Sequence, residues 1–162
     1  MKNFQGELEK VQNYFAELAT RKKASFSILL AYIFGSRAKG NIGQMSDYDF
    51  AVLFSAAVPH EEKHRLAHEL AMSLDGARVD VVVLNNAPIE LKYNIILEGK
   101  LLYRKDNFSK VEFEANTLSE YFDYRPVLHK QREDLIKEGN DAARIQRSRK
   151  TLRQIERMFD RT

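Results

Sequence analysis

At 162 residues, 44% apolar and 30% charged, with only seven glycines and three prolines, the chain suits one domain of the usual ~150 residues plus a helical appendage, and its composition is that of a core-forming protein rather than a collagenous or disordered one. It contains no cysteine, which excludes a disulfide framework, a thiolate nucleophile and any Cys-ligated zinc or iron–sulfur centre, and fits a reducing compartment. The net charge of +3 is unevenly placed: residues 142–162 hold seven basic and two acidic residues, a local +5, so the remainder carries −2 and the basic bias belongs to the tail alone.

Along the first segment, residues 3–22, Phe4, Leu8, Val11, Phe15 and Leu18 recur at steps of four and three, the stripe of an amphipathic helix. Phe26 to Phe34 is rich in Ile, Leu and aromatics and stops at Gly35, which predicts a buried strand. A loop rich in Gly and Asn, Gly40-Asn41-Ile42-Gly43, leads to Tyr48–Phe54, a second strand. Pro59 opens a helix that runs to Asp75 and ends at Gly76. Arg78 to Leu84 is a Val-rich third strand interrupted by one acid, Pro88 starts a helix that stops at Gly99, and Leu101-Leu102-Tyr103 adds a short strand.

From Asp106 the pattern turns helical, with a break expected at Arg125-Pro126 and another at Gly139-Asn140. The tail repeats Ile145, Leu152, Ile155 and Phe159 at helical steps. The expected layout is an α/β nucleus over 1–105 followed by a helical arm over 106–162. Its longest apolar run, Ile28 to Phe34, is far short of the ~20 residues of a membrane span. Residues 1–7 turn polar too early for a secretory leader, so cytoplasmic residence is the expectation.

The chemistry concentrates between Gly35 and Asp49. A buried strand ends at Gly35-Ser36, and the next strand opens with Asp47 and Asp49, two residues apart and therefore on one face, while Tyr48 and Phe50 turn to the core behind. Adjacent carboxylates repel, and they are tolerated cheaply only with a cation between them. Oxygen donors of this kind favour Mg²⁺ or Mn²⁺. Asp80, the acid inside the third strand, can stand beside the pair from a neighbouring strand, and burial there would cost several kcal/mol without a partner. Three carboxylates around two Mg²⁺ ions suit in-line attack on a nucleotide α-phosphate. Gly35 and Ser36 then offer backbone N–H groups and a hydroxyl to phosphate oxygens, with Arg37 and Lys39 adding positive charge.

The string Gly35-Ser36, ten residues, Asp47-x-Asp49, followed by Asp80 on a later strand, resembles the polymerase-beta-like nucleotidyltransferase superfamily. Over residues 25–105 it is most similar to the minimal nucleotidyltransferase (MNT) antitoxins, MntA-like proteins paired with HEPN-domain toxins of the HepT type. The resemblance implies a small mixed α/β (α+β) sheet flanked by helices, with a C-terminal helical arm. It also implies a type VII-like antitoxin: a Mg²⁺-dependent protein adenylyltransferase that moves AMP from ATP to a tyrosine hydroxyl of a HEPN RNase and silences it, in a hetero-oligomer with that toxin. In those terms Gly35 and Ser36 serve the triphosphate, Asp47 and Asp49 both metal ions, and Asp80 the catalytic ion and the acceptor hydroxyl.

Other features compete for attention. His60-Glu61-Glu62-Lys63-His64 satisfies the H-E-x-x-H pattern, with His68 one turn on, but these side chains border the face formed by Leu66, Leu70 and Leu74 at an exposed helix start, so a zinc peptidase is disfavoured. Tyr14/Phe15 and Tyr121/Phe122/Tyr124 suit packing better than base stacking, and the stripe in the basic tail favours protein contact over nucleic acid. Two rival functions stay open. One is nucleotidyl transfer to a small-molecule hydroxyl, as in aminoglycoside nucleotidyltransferases, which the short arm argues against. The other is a non-catalytic antitoxin that neutralises by binding alone, which the intact acidic set argues against.

Overall fold

The computed structural model describes the backbone of residues 4–20, 26–40 and 47–159, and the side chains of these residues up to 139. The Asn41–Ser46 part of the predicted loop and the side chains of the tail stripe lie outside the described residues. The elements follow the order α1 (Phe4–Thr20), β1 (Ile28–Phe34), α2 (Gly35–Ala38), β2 (Tyr48–Phe54), α3 (His60–Ser73), β3 (Val79–Val83), α4 (Ile89–Glu98), β4 (Lys100–Arg104) and α5 (Asn107–Phe159), with a 3-10 turn at Leu84–Asn86. This is the expected mixed α/β order. The chain divides into two compact units, Met1–Tyr121 and Phe122–Thr162.

In the first unit the four strands stand in the order β3-β2-β1-β4. β1 pairs antiparallel with β2 and β4, and β2 pairs parallel with β3. The parallel pair requires a crossover, which α3 provides; Pro59 enters it with its fixed φ, and Asp75 and Gly76, both at positive φ, turn the chain out. The two faces of the sheet carry separate cores. On one, Ala31, Ile33, Tyr48, Phe50, Val52 and Val81 pack with Val11 and Phe15 of α1 and with Leu66, Leu70 and Leu74 at the end of α3. On the other, Leu30, Tyr32 and Ala51 pack with Leu84, Ile95 and Phe113. Because side chains alternate along a strand, Asp49 shares its face with Ala51, while Tyr48 and Phe50 belong to the opposite face.

Helix α5 begins with Asp106, whose Oδ1 accepts from the Ser109 N–H at 2.6 Å. Contrary to the expected breaks, α5 runs without interruption past Arg125-Pro126 and Gly139. Proline removes one N–H, and glycine costs only about 1 kcal/mol in a helix interior; here both are flanked by strong helix formers such as Leu128, Lys130, Leu135 and Lys137. Among the described residues no helix is long and apolar enough to cross a membrane.

Candidate active site

β1 and β2 converge on the candidate site. Phe34, the last residue of β1, lies opposite Asp49, and one residue further the chain turns at Gly35 into the four-residue α2. Gly35 has φ +72°, a left-handed conformation, and a Cβ built there would fall on the Asp49 Oδ2 and stand 3.1 Å from its Cγ. The carboxylate thus rests against bare backbone, a position only glycine fits. Gly35→Ala adds a left-handed penalty of ~1–2 kcal/mol to that overlap, and the expected outcome is a Tm lowered by about 4–8 °C, read by thermal melting.

The parallel register sets Asp49 directly beside Asp80. Asp49 is half-buried, and its carboxyl is held above the usual carboxylate range by burial, then by the charges of Asp80 and Asp47. Asp80 and Asp47 thus lie near enough to Asp49 for their charges to act on it. Asp80, however, is exposed rather than buried, because β3 is an edge strand; its Oδ1 accepts from the Val81 N–H at 2.9 Å. Among the described residues, no group of three or more His, Cys, Asp or Glu side chains is gathered closely enough to hold a metal ion. The donor set still fits a hard divalent cation: all-oxygen ligands, mutually repelling, one already resisting ionisation.

The flanking residues divide. Ser36 is exposed at the start of α2. Lys39 lies just beyond it and pairs with Glu98 at 2.6 Å, both side chains about half exposed. Arg37 lies with its guanidinium carbon 3.7 Å from the centroid of the Tyr48 ring, and thus packs against the face of β2 opposite the carboxylates. Its Nη1 is 4.0 Å from Glu7 of α1, and the Tyr48 hydroxyl donates to the same Glu7 carboxylate. Glu7 was not singled out by sequence reasoning. The available signal was an acid on the apolar stripe of α1, three residues after Phe4 and four before Val11. At the distant start of α3, the His60 and His64 rings approach at 3.1 Å between ring nitrogens on an exposed surface.

A family model described as polymerase beta nucleotidyltransferase matches residues 9–108. The chain belongs to that family. This polymerase-beta nucleotidyltransferase chain is 33% identical to the protein adenylyltransferase MntA of Aphanizomenon flos-aquae (strain 2012/KM1/D3) in an alignment of 96 positions that covers 49% of this chain and 61% of that relative. It therefore spans less than two thirds of the curated relative's length. Among solved structures it is similar to one chain of a toxin–antitoxin crystallised with AMP-PNP, at 26% identity and a TM-score of 0.67, covering 80% of this chain and 98% of the other. It is also similar to one chain of an MntA–HepT toxin–antitoxin, at 25% identity and a TM-score of 0.62, covering 82% and 98%.

Proposed function

We propose that this nucleotidyltransferase is a protein adenylyltransferase that acts as an antitoxin, transferring AMP from ATP to a tyrosine hydroxyl of a HEPN-family RNase in the cytoplasm. The observation that carries the reading is the junction of Gly35 with Asp49, itself beside Asp80: bare backbone at the start of α2 in contact with one of two neighbouring carboxylates. The likeness to a protein adenylyltransferase and to a toxin–antitoxin chain crystallised with AMP-PNP supports it.

In this reading the backbone N–H groups that open α2 and the Ser36 hydroxyl bind the β- and γ-phosphate oxygens. Asp47, Asp49 and Asp80 would hold two Mg²⁺ or Mn²⁺ ions, which when bound supply charge neutralisation to the triphosphate and acidify the acceptor hydroxyl. Asp80, exposed at the sheet edge, stands where an incoming acceptor can reach it and takes the tyrosine proton. The tyrosine oxygen bonds to the α-phosphorus as the bond to the bridging oxygen breaks, and its electron pair leaves with pyrophosphate. Asp47 and Asp49 hold the nucleotide so that these three atoms are in line, the condition under which a two-substrate transfer gains most of its rate.

The test incubates the full chain with α-labelled ATP, Mg²⁺ and a HEPN RNase, and follows label on the RNase together with its cleavage activity. Labelled tyrosine with lost RNase activity is the expected result. Inhibition without nucleotide would instead support neutralisation by binding alone, and label only on a small-molecule hydroxyl would support the aminoglycoside-like rival. The arm over 106–162 is assigned to toxin docking. Its basic, striped tail suits an acidic protein surface. Deleting residues 142–162 is expected to lower toxin modification about tenfold and to leave ATP affinity within twofold; unchanged modification would shift the tail's +5 charge toward nucleic-acid contact.

A further inference from the structure

We infer that Glu7, on α1, is a positioning residue for the proposed transfer: its one carboxylate clamps both halves of the candidate site from behind the sheet, α2 through Arg37 and the Asp47/Asp49 strand through Tyr48. The inference rests on the proposed function for its kinetic consequence, while the clamp itself is a matter of structure.

In front, the two segments meet where the Asp49 carboxylate rests on the Gly35 backbone. α2 is a single turn of four residues, and the bonds that close its C-terminal end are long, from the Lys39 N–H to the Gly35 carbonyl at 3.4 Å and from the Gly40 N–H to the Arg37 carbonyl at 3.2 Å. A one-turn helix does not hold itself, because nucleation costs more than one or two bonds return. β2 is better anchored, its first residue donating from the Tyr48 N–H to the Arg78 carbonyl at 2.9 Å. α2 meets β2 through the Phe34–Asp49 register, the contact of Gly35 with the Asp49 carboxylate, and the stack of Arg37 on the Tyr48 ring.

Glu7 closes that stack. It accepts from the Tyr48 hydroxyl and faces the Arg37 guanidinium, and the Arg37 and Glu7 side chains are only 13% and 15% exposed. Charges this far out of water interact more strongly than surface pairs. Tyr48 is itself 2% exposed and stacked on Phe50, which meets Phe15 of α1. Helix α1 therefore reaches the back of the Asp-x-Asp strand twice, through an aromatic edge and through Glu7. The alternation along β2 makes the arrangement one-sided: whatever fixes Tyr48 behind the sheet fixes Asp49 in front of it, with Asp47 exposed one residue before the strand. Arg37 in this position is a strut of the phosphate-binding turn, standing on the other side of the strand from the carboxylates.

The test uses the full chain with Glu7→Ala, Glu7→Gln, Tyr48→Phe, Arg37→Met and the double variant Glu7→Ala/Arg37→Met. Glu7→Gln keeps an acceptor for the Tyr48 hydroxyl but loses the charge facing Arg37, and Tyr48→Phe keeps the ring under Arg37 but loses the hydroxyl, so neither need unfold the chain. Hydrogen exchange without nucleotide is the first readout. The amides of Lys39, Gly40 and Tyr48 should exchange about tenfold faster in Glu7→Ala while those of α3 are unchanged. Transfer kinetics are the second. In Glu7→Ala, kcat should fall about 30-fold or more with ATP KM changed less than threefold, Glu7→Gln should recover part of the loss, and the double variant should be no worse than Glu7→Ala.

Uniformly faster exchange with unchanged kcat per folded molecule would reduce Glu7 to a fold-stabilising residue and overturn the inference. So would additive losses in the double variant, with ATP KM rising on Arg37 substitution alone, which is the behaviour of a direct phosphate contact. Should the unaltered chain transfer no AMP to a HEPN protein, the proposed function falls, and the exchange pattern still decides whether Glu7 holds the two segments together.

Discussion

Replacing Asp49 with Asn is expected to reduce AMP transfer by about a thousandfold or more while leaving the fold intact, and Asp47→Asn is expected to do the same. Each change removes a negative charge from the donor set that would hold the divalent cations. The stability of the metal-free protein should move the other way. The Asp49 carboxyl is raised by burial first and by Asp80 and Asp47 next, so its ionised form is the disfavoured one. A group raised in this way contributes stability below its ordinary range and loses it as pH climbs through the raised value. At pH 7 in a chelator the parent has lost that contribution, and Asp49→Asn, which never ionises, should melt at the same temperature or up to about 3 °C higher. At pH 4 the difference should shrink. Near-parental labelling of the acceptor by either variant in Mg²⁺ would remove both residues from the metal assignment.

Asp80→Asn should separate binding from chemistry. Asp47 and Asp49 remain to hold the nucleotide with its cation, so ATP affinity measured by calorimetry should stay within about threefold, whereas transfer should fall by at least about a thousandfold for want of the group that receives the acceptor proton. The exposed edge position makes the substitution structurally mild, and thermal melting should show little change. Equal losses of binding and transfer would place Asp80 among the nucleotide-binding groups instead.

Much of the fold and the acidic part of the site could be read from local pattern. The strands β1, β2 and β3 announce themselves as branched and aromatic runs ended by Gly35, Ser55 and Leu84-Asn85-Asn86, and the alternation in Tyr48-Asp49-Phe50 already divides core from site. The leucines of α3 face the core as their spacing requires. Pairing of Asp49 with Asp80 needed the strand order, which the chain does not spell out, and with it the fact that Asp80 is on an open edge. Arg37 is the clearest case of what spacing hides. Directly after Gly35-Ser36, a cation reads as a phosphate ligand; the structure sets it against a ring 11 positions later and an acid 30 positions earlier, joined only by tertiary structure. The continuity of α5 through Pro126 escaped for the converse reason, since a local rule about proline was outweighed by the helix formers on either side.

Tyr32 gives the fold a seam. Its hydroxyl, on the sheet face away from Tyr48, donates to Glu114 at 3.2 Å, and burial together with Glu114 holds the phenol well above its ordinary pKa. The other Glu114 oxygen takes Lys110 at 2.7 Å, Phe113 caps the Leu30 and Ile95 core, and Thr117 is 3% exposed. The opening turns of α5 are thus a wall of the nucleus. A recombinant swap of arms between relatives that cut after β4 would strip the acceptor from a buried hydroxyl, at a cost of ~1–3 kcal/mol, and bare an apolar face as well. A cut at Phe122 would spare both. Before that residue, a change in the helix is also a change in the packed nucleus.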